Sequence, residues 1–235
     1  MANFRQSFAS SASTVSYEQG LRDYMVKIYN YMSVALGISG LVAFLTASSP
    51  AMMNLLFGTP LAFVVMLAPL GFVFFFSYKI SSLSSAKAKN YLWIYSVLMG
   101  LSLATIFVAY TGASIARVFF ITAITFGSMS IYGYTTKRDL TGLGSFLFMG
   151  LIGLIIASLV NIFLHSSALE FAISAIGVLV FVGLTAYDTQ NIKQSYFHTS
   201  DQETLAKIAV MGALRLYLDF INLFIMMLRF FGERR

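Results

Sequence analysis

Two aspartates interrupt stretches of chain that are otherwise apolar. Asp188 ends the run over residues 171–184 inside Gly183-Leu-Thr-Ala-Tyr-Asp-Thr-Gln-Asn-Ile-Lys193, and Asp219 lies within the next apolar run. An ionisable group in hydrocarbon is costly enough that it faces a bundle interior or a water-filled cavity, which makes each acid a functional candidate. Two carboxylates close together in low dielectric do not both ionise easily. They would share one proton in a short hydrogen bond, and its loss would set like charges against each other. The ionised pair would attract Ca²⁺, a hard cation that takes about six to eight oxygen ligands. Two carboxylates with Asn222, backbone carbonyls and water make an incomplete site, suited to passage and not to storage. Asp188 and Asp219 are thus the expected pH sensor, gate and transient calcium ligands. Arg215 is an expected charge partner, and Asn222, Tyr187 and Met226 the expected pore lining.

The elements that position these residues follow from composition. At 58% hydrophobic and 10% charged over 235 residues, with a mean hydropathy of +0.81, the chain is far more apolar than a soluble domain, in which about 25% of residues are charged. It reads as a multi-pass membrane protein whose partner is the lipid bilayer. The absence of cysteine excludes a disulfide framework, thiolate metal sites and a thiol nucleophile. The net charge of +6 comes from basic residues scattered over the loops, which points away from nucleic acid.

Residues 1–27 are polar and Ser-rich and lack the apolar core of a signal peptide. They are expected to form a disordered cytoplasmic tail, with helix near residues 17–27. Residues 28–235 form one membrane domain. Its seven spans are expected at 28–47, 60–78, 91–110, 115–134, 143–164, 169–187 and 208–230, each close to the roughly 20 residues that cross about 30 Å of hydrocarbon. Pro69 would kink the second. Lys79, Lys87 and Lys89 lie in the second loop, Lys137 and Arg138 in the fourth, Lys193 and Lys207 in the sixth, and none in the odd loops. The positive-inside rule therefore puts the N-terminus and the even loops in the cytoplasm. Arg117, Arg234 and Arg235 depart from that pattern, so either the tail is an exception or the last segment is re-entrant.

Small residues Gly150, Gly153, Ala157 and Asn161 recur at helical spacing in the fifth span and predict close helix packing there. Tyr91, Trp93, Tyr95, Tyr132 and Tyr134 sit where an aromatic belt would. In the seventh span Gly212, Arg215, Asp219, Asn222, Met226 and Arg229 share one face. A polar stripe on an apolar helix implies that the other helices surround it or that it lines a wet passage. At about 1.5 Å per residue Asp188 lies near the inner hydrocarbon boundary. If Arg215 snorkels to that level, Asp219 is about 6 Å deeper and the acids can meet; if the helix starts at Ile208, they are separated.

The two acidic segments, Gly183 to Lys193 and Leu216-Tyr-Leu-Asp-Phe-Ile-Asn-Leu-Phe224, with acid-free helices before them, resemble the Bax-inhibitor family, the transmembrane Bax inhibitor motif proteins, in a bacterial form. The resemblance covers residues 28–232. It implies an all-α membrane protein, a seven-transmembrane-helix bundle with the seventh helix central and enclosed by the other six. It also implies a bacterial inner membrane location and a pH-sensitive calcium leak gated by an aspartate pair, here Asp188 and Asp219. By position it makes Lys79 the basic partner from the second helix, where the family pattern would have Arg; lysine lacks the bidentate fork.

Two other functions fit the same residues. One is a membrane interaction protein that regulates stress or proteolysis partners without transport. The other is an intramembrane aspartyl protease, since Tyr187-Asp188 and Asp219 resemble the acid pair of presenilin-type enzymes; the segment Leu216 to Asp219 lacks the glycine of that family, and no Pro-Ala-Leu follows. No enzyme is expected, and no cofactor beyond calcium as the transported ion. His165 and His198 lie in expected loops as solvated side chains.

Overall fold

The structure, a computed structural model, describes residues 2–197 and 201–235, with side chains from residue 18 onward. His198 lies outside the described residues. The helices are α1 (Ala2–Ala47), α2 (Pro50–Phe57), α3 (Leu61–Lys79), α4 (Ser85–Ala109), α5 (Gly112–Thr135), α6 (Thr141–Leu164), α7 (Ser167–Phe197) and α8 (Gln202–Phe231), with a 3₁₀ turn at Ile80–Ser82. All but α2 are long and apolar enough to cross a membrane. The seven expected spans are all present, and most helices outrun them. Hydropathy marks only the part in hydrocarbon, whereas helical hydrogen bonding continues into polar flanks. The boundary expected after Lys27 accordingly falls inside α1.

Short polar residues start the helices where they start. Ser84 Oγ accepts from Lys87 N, Thr111 Oγ1 from Ser114 N and Asp201 Oδ2 from Thr204 N, each satisfying one of the free amides of a first turn. The additional α2, between the first two expected spans, has the same cause: Ser49 caps it and Pro50 opens it. Pro69 lies inside a single unbroken α3.

The bundle is built around α8. In its most apolar stretch 67% of residues are buried, against 39% for α7 and 28% or less in the others. Helices α7, α1, α5 and α4 pack directly on it, while α3 packs on α4 and α6 on α7. The last crossing is central, with four of the six other spans as its main walls. Exposed Phe63, Leu67, Phe146, Phe163 and Leu179 form the outward apolar surface that lipid requires.

Polar joints and close backbone approach hold the walls to the centre. Ser39 Oγ of α1 reaches Ser96 O of α4 at 2.7 Å and Tyr217 Oη of α8 at 2.7 Å, joining three helices at one buried point. A Cβ on Gly100 would lie 2.7 Å from Ser39 O, and one on Gly133 would strike Ala186 O, so α1–α4 and α5–α7 close only with glycine there. The fifth-span stripe is used less than expected. Gly150 meets Val180 of α7, but Gly153 faces open space and Asn161 caps the next turn by accepting from Ser166 N at 3.0 Å. The aromatic belt also needs correction. Tyr95 is buried edge-on against Tyr217, and Tyr91 stacks on Phe76, because these rings turn inward to fill the α3–α4–α8 junction.

The C-terminus resolves the question of the last segment. Thr111 N donates to Glu233 O, Arg235 N to Ala109 O, and Glu233 N to Ser114 Oγ, so the tail lies on the α4–α5 turn. Helix α8 runs the full length of the bundle, from the loop of Ser81 to the α4–α5 turn, and ends beside the odd loops, opposite the lysine-bearing ones. Two of the three cations that depart from the loop-charge pattern are ion-paired there, Arg117 with Glu233 at 2.9 Å and Arg234 with Glu170 at 2.7 Å.

Candidate functional site

The polar stripe of α8 faces α7 along its length. Gly212 meets Ile192, Arg215 Nη1 donates to Asn191 Oδ1 at 3.2 Å, Asp219 meets Asp188, Met226 lies against Gly177, and Phe230 against Phe171 with ring centroids 5.0 Å apart. The stripe is therefore a helix seam and not the wall of an open passage. Of the two depths open in the sequence, the structure takes the one in which the acids meet. Their carboxyls are in direct contact, and the Arg215 guanidinium acts on both. Asp219 is buried and its Oδ2 receives no hydrogen-bond donor.

The residues after Asp188 clamp α7 to everything around it. Thr189 Oγ1 pairs with Ser130 Oγ of α5 at 2.9 Å, and Ser130 with Tyr29 Oη of α1. Gln190 accepts from Leu140 N at 2.9 Å and donates to Arg138 O at 2.8 Å, so its amide holds the α5–α6 turn from both sides. Lys193 Nζ donates to Tyr134 O at 2.7 Å and lies 4.8 Å from the Tyr134 ring centroid, capping the end of α5. Sequence reading singled out this motif for its acid and missed these roles. The signal was there: Thr189, Gln190 and Asn191 point in three directions around a helix, and polar groups on all sides need partners on all sides.

Other expected site residues lie elsewhere. Lys79 is exposed at the end of α3, which packs on α4, and makes no ion pair among the described residues. A peripheral helix does not carry its terminal cation to a contact between α7 and α8. Tyr187 lays its ring on Gly144 of α6. Asn222 Nδ2 donates to Leu218 O of its own helix at 2.8 Å. Met226 fills the space over Gly177. These three are packing side chains in this arrangement, and Arg215 alone of the expected partners stands with the acids. Among the described residues no cluster of three or more His, Cys, Asp or Glu forms; the acids stand as a pair.

A buried seventh crossing walled by four of the other six, with an acid contact joining the last two, defines an all-α, multi-pass membrane protein. The sequence profile of the family described as "Inhibitor of apoptosis-promoting Bax1" matches residues 21–235. The chain belongs to this Bax inhibitor family. It is 49% identical over 231 residues to the inner membrane protein YbhL of Escherichia coli K12, covering 97% of this chain and 99% of that one. It is 47% identical over 235 residues to an uncharacterized protein of Rickettsia prowazekii strain Madrid E, over the whole of both. An uncharacterized membrane protein of Streptococcus pyogenes serotype M1 is 39% identical over 217 residues, 91% of this chain and 94% of that protein.

Proposed function

We propose that the protein is a pH-sensitive cation leak, with calcium as the ion, in which Asp188 and Asp219 form the gate. The observation that carries this reading is the direct carboxyl contact between α7 and α8, beside Arg215, with a buried Asp219 oxygen that no donor satisfies. A carboxylate is an acceptor only, so two ionised acids would leave the contact without a hydrogen. One shared proton supplies it and ties the helices.

The tight seam from Phe171 and Phe230 to Ile192 and Gly212 supports reading this arrangement as the closed form. Base removes the shared proton, the two charges repel, and the seam opens near its inner end. Acid restores the proton and closes it. Arg215 steadies the ionised state, and the ionised pair offers Ca²⁺ oxygen ligands too few to hold it, about six to eight being usual. The chain's own residues thus bind weakly, move one proton and shift one helix. The reading places the protein in a bacterial inner membrane with its N-terminus in the cytoplasm, acting without enzymatic turnover and without a resident cofactor.

The test is Ca²⁺ flux into liposomes holding the purified protein across a pH series. Wild type is expected to pass more Ca²⁺ as pH rises. Asp188→Asn and Asp219→Asn are each expected to flatten that dependence, since an amide carries no titrating proton. Unchanged pH profiles in both variants would place the gate elsewhere, and protein that passes no ions but repeatedly crosslinks to one membrane protein would favour a regulatory partner role.

A further inference from the structure

Helices α1 and α5 both pack on α8 but leave a gap between themselves. A cleft of about 890 Å³ lies there, with Met32 and Leu36 of α1 on one wall, Phe119 and Phe126 of α5 on the other, and Phe220 of α8 as floor. A second cavity of about 310 Å³ shares Leu36, Gly40, Phe119 and Phe220 and extends the space along the bundle. Gly37, Gly40 and Gly127 line the cleft, and a Cβ on any of them would meet nothing within 4 Å. The space is real room and not a seam that side chains fill.

At the inner end the cleft runs into a charged mouth. Arg22, Val26 and Tyr134 belong both to the cleft and to an adjoining cavity of about 790 Å³, which Glu18, Asp23 and Lys193 also line. The Lys193 ammonium is already bonded to Tyr134 O. Arg22 makes no ion pair among the described residues. The mouth therefore offers a free guanidinium for a phosphate and two carboxylates for an ammonium group, above a slot that only an apolar chain would enter.

The width selects the occupant. The Tyr29 hydroxyl of α1 bonds the Ser130 hydroxyl of α5 across the cleft. A helix about 10 Å across cannot lie between elements joined by one hydrogen bond, whereas a single hydrocarbon chain can. We propose that this cleft is a site for one aminophospholipid of the surrounding bilayer. One acyl chain lies against Phe220, the phosphate on Arg22 and the primary ammonium on Glu18 and Asp23. The site lies between α1 and α5, about 100° around α8 from Asp219, and holds whether or not ions pass. Because Phe220 follows Asp219 directly, an occupied cleft braces the turn of α8 that carries the buried acid.

The test is native mass spectrometry of the full chain in detergent, titrated with phosphatidylethanolamine or phosphatidylglycerol of identical acyl chains. Wild type is expected to retain one phosphatidylethanolamine in preference to phosphatidylglycerol by about tenfold. Gly37→Leu and Gly127→Leu, which fill the slot, are each expected to lower retention of either lipid by about tenfold with the melting temperature kept. Glu18→Gln combined with Asp23→Asn is expected to abolish the headgroup preference while one lipid is still retained. Leucine variants that hold lipid as wild type does, or a wild type that holds the two lipids equally, would overturn the proposal. So would a protein dimer that the leucine substitutions dissociate, since it would make the occupant a second copy. Should either leucine variant misfold, the headgroup preference of wild type decides alone.

Discussion

Asp219 and Arg215 lie one turn apart on α8 and act on the same neighbour, Asp188 of α7. Arg215 favours the ionised pair, so its removal makes the proton harder to lose. On the proposed gate, Arg215→Gln is expected to move the onset of Ca²⁺ flux to higher pH, and Lys79→Gln to leave it where it is. A pH series on the two variants in liposomes checks both, and an unmoved onset in Arg215→Gln would remove it from the gate. The acids were legible because a charge inside an apolar run has few reasons to be there. Arg215 was legible because it shares their face. Lys79 stands apart from them at the exposed end of α3, and a residue's place at the end of a span does not tell which helices that span touches. The packing of Asn222, Tyr187 and Met226 was not legible for a related reason: sequence gives the face of a helix, but not whether a side chain bonds its own backbone or fits over a glycine.

The elements are held by close approach, and the glycines responsible are not those with the most conspicuous spacing. Gly133→Ala would drive a methyl into Ala186 O, and a loss of about 1–3 kcal/mol is expected from overpacking. Gly153→Ala, in the small-residue stripe of α6, meets nothing and is expected to be neutral or to gain up to about 1 kcal/mol from helix propensity. Thermal unfolding in detergent compares them, and equal effects would contradict the assigned α5–α7 contact. Ser39→Ala removes a hydroxyl that joins α1, α4 and α8 and is expected to cost about 1 kcal/mol in the same assay. Span count and approximate span positions could be read from hydropathy, since hydrocarbon imposes length and composition together. Helix–helix contacts could not, because small residues recur on several faces and only packing decides which are used. The α8 stripe shows the same limit. Its periodicity was plain, yet a seam against α7 and a wet wall give the same pattern.

At the scale of the whole molecule, an odd number of crossings separates the two termini, and the C-terminal tail is bound to the α4–α5 turn. Two of the three cations that depart from the loop-charge pattern, Arg117 and Arg234, are paired with Glu233 and Glu170, acids distant in sequence. The chain has no cysteine, so Ser81→Cys and Arg235→Cys can each be labelled alone. Membrane-impermeant reagent is expected to reach them from opposite sides, and labelling from one side would contradict the complete seventh crossing. Asp139 and Asp201 do not supply a pH response near neutrality. The Thr141 hydroxyl and amide hold the Asp139 carboxyl below its usual range, and Thr204 does the same for Asp201. Their contribution is present above the unfolded-state value and is lost only as pH falls through these lowered ones, well into acid. On the proposed gate the response lies in the proton between Asp188 and Asp219. Infrared difference spectra taken across a pH series in lipid read that proton directly. A carboxylic-acid carbonyl band is expected to disappear over the same pH interval in which Ca²⁺ flux appears, and to be missing from Asp188→Asn and Asp219→Asn alike. A band that persists in both variants, or that is unchanged while flux rises, would contradict it.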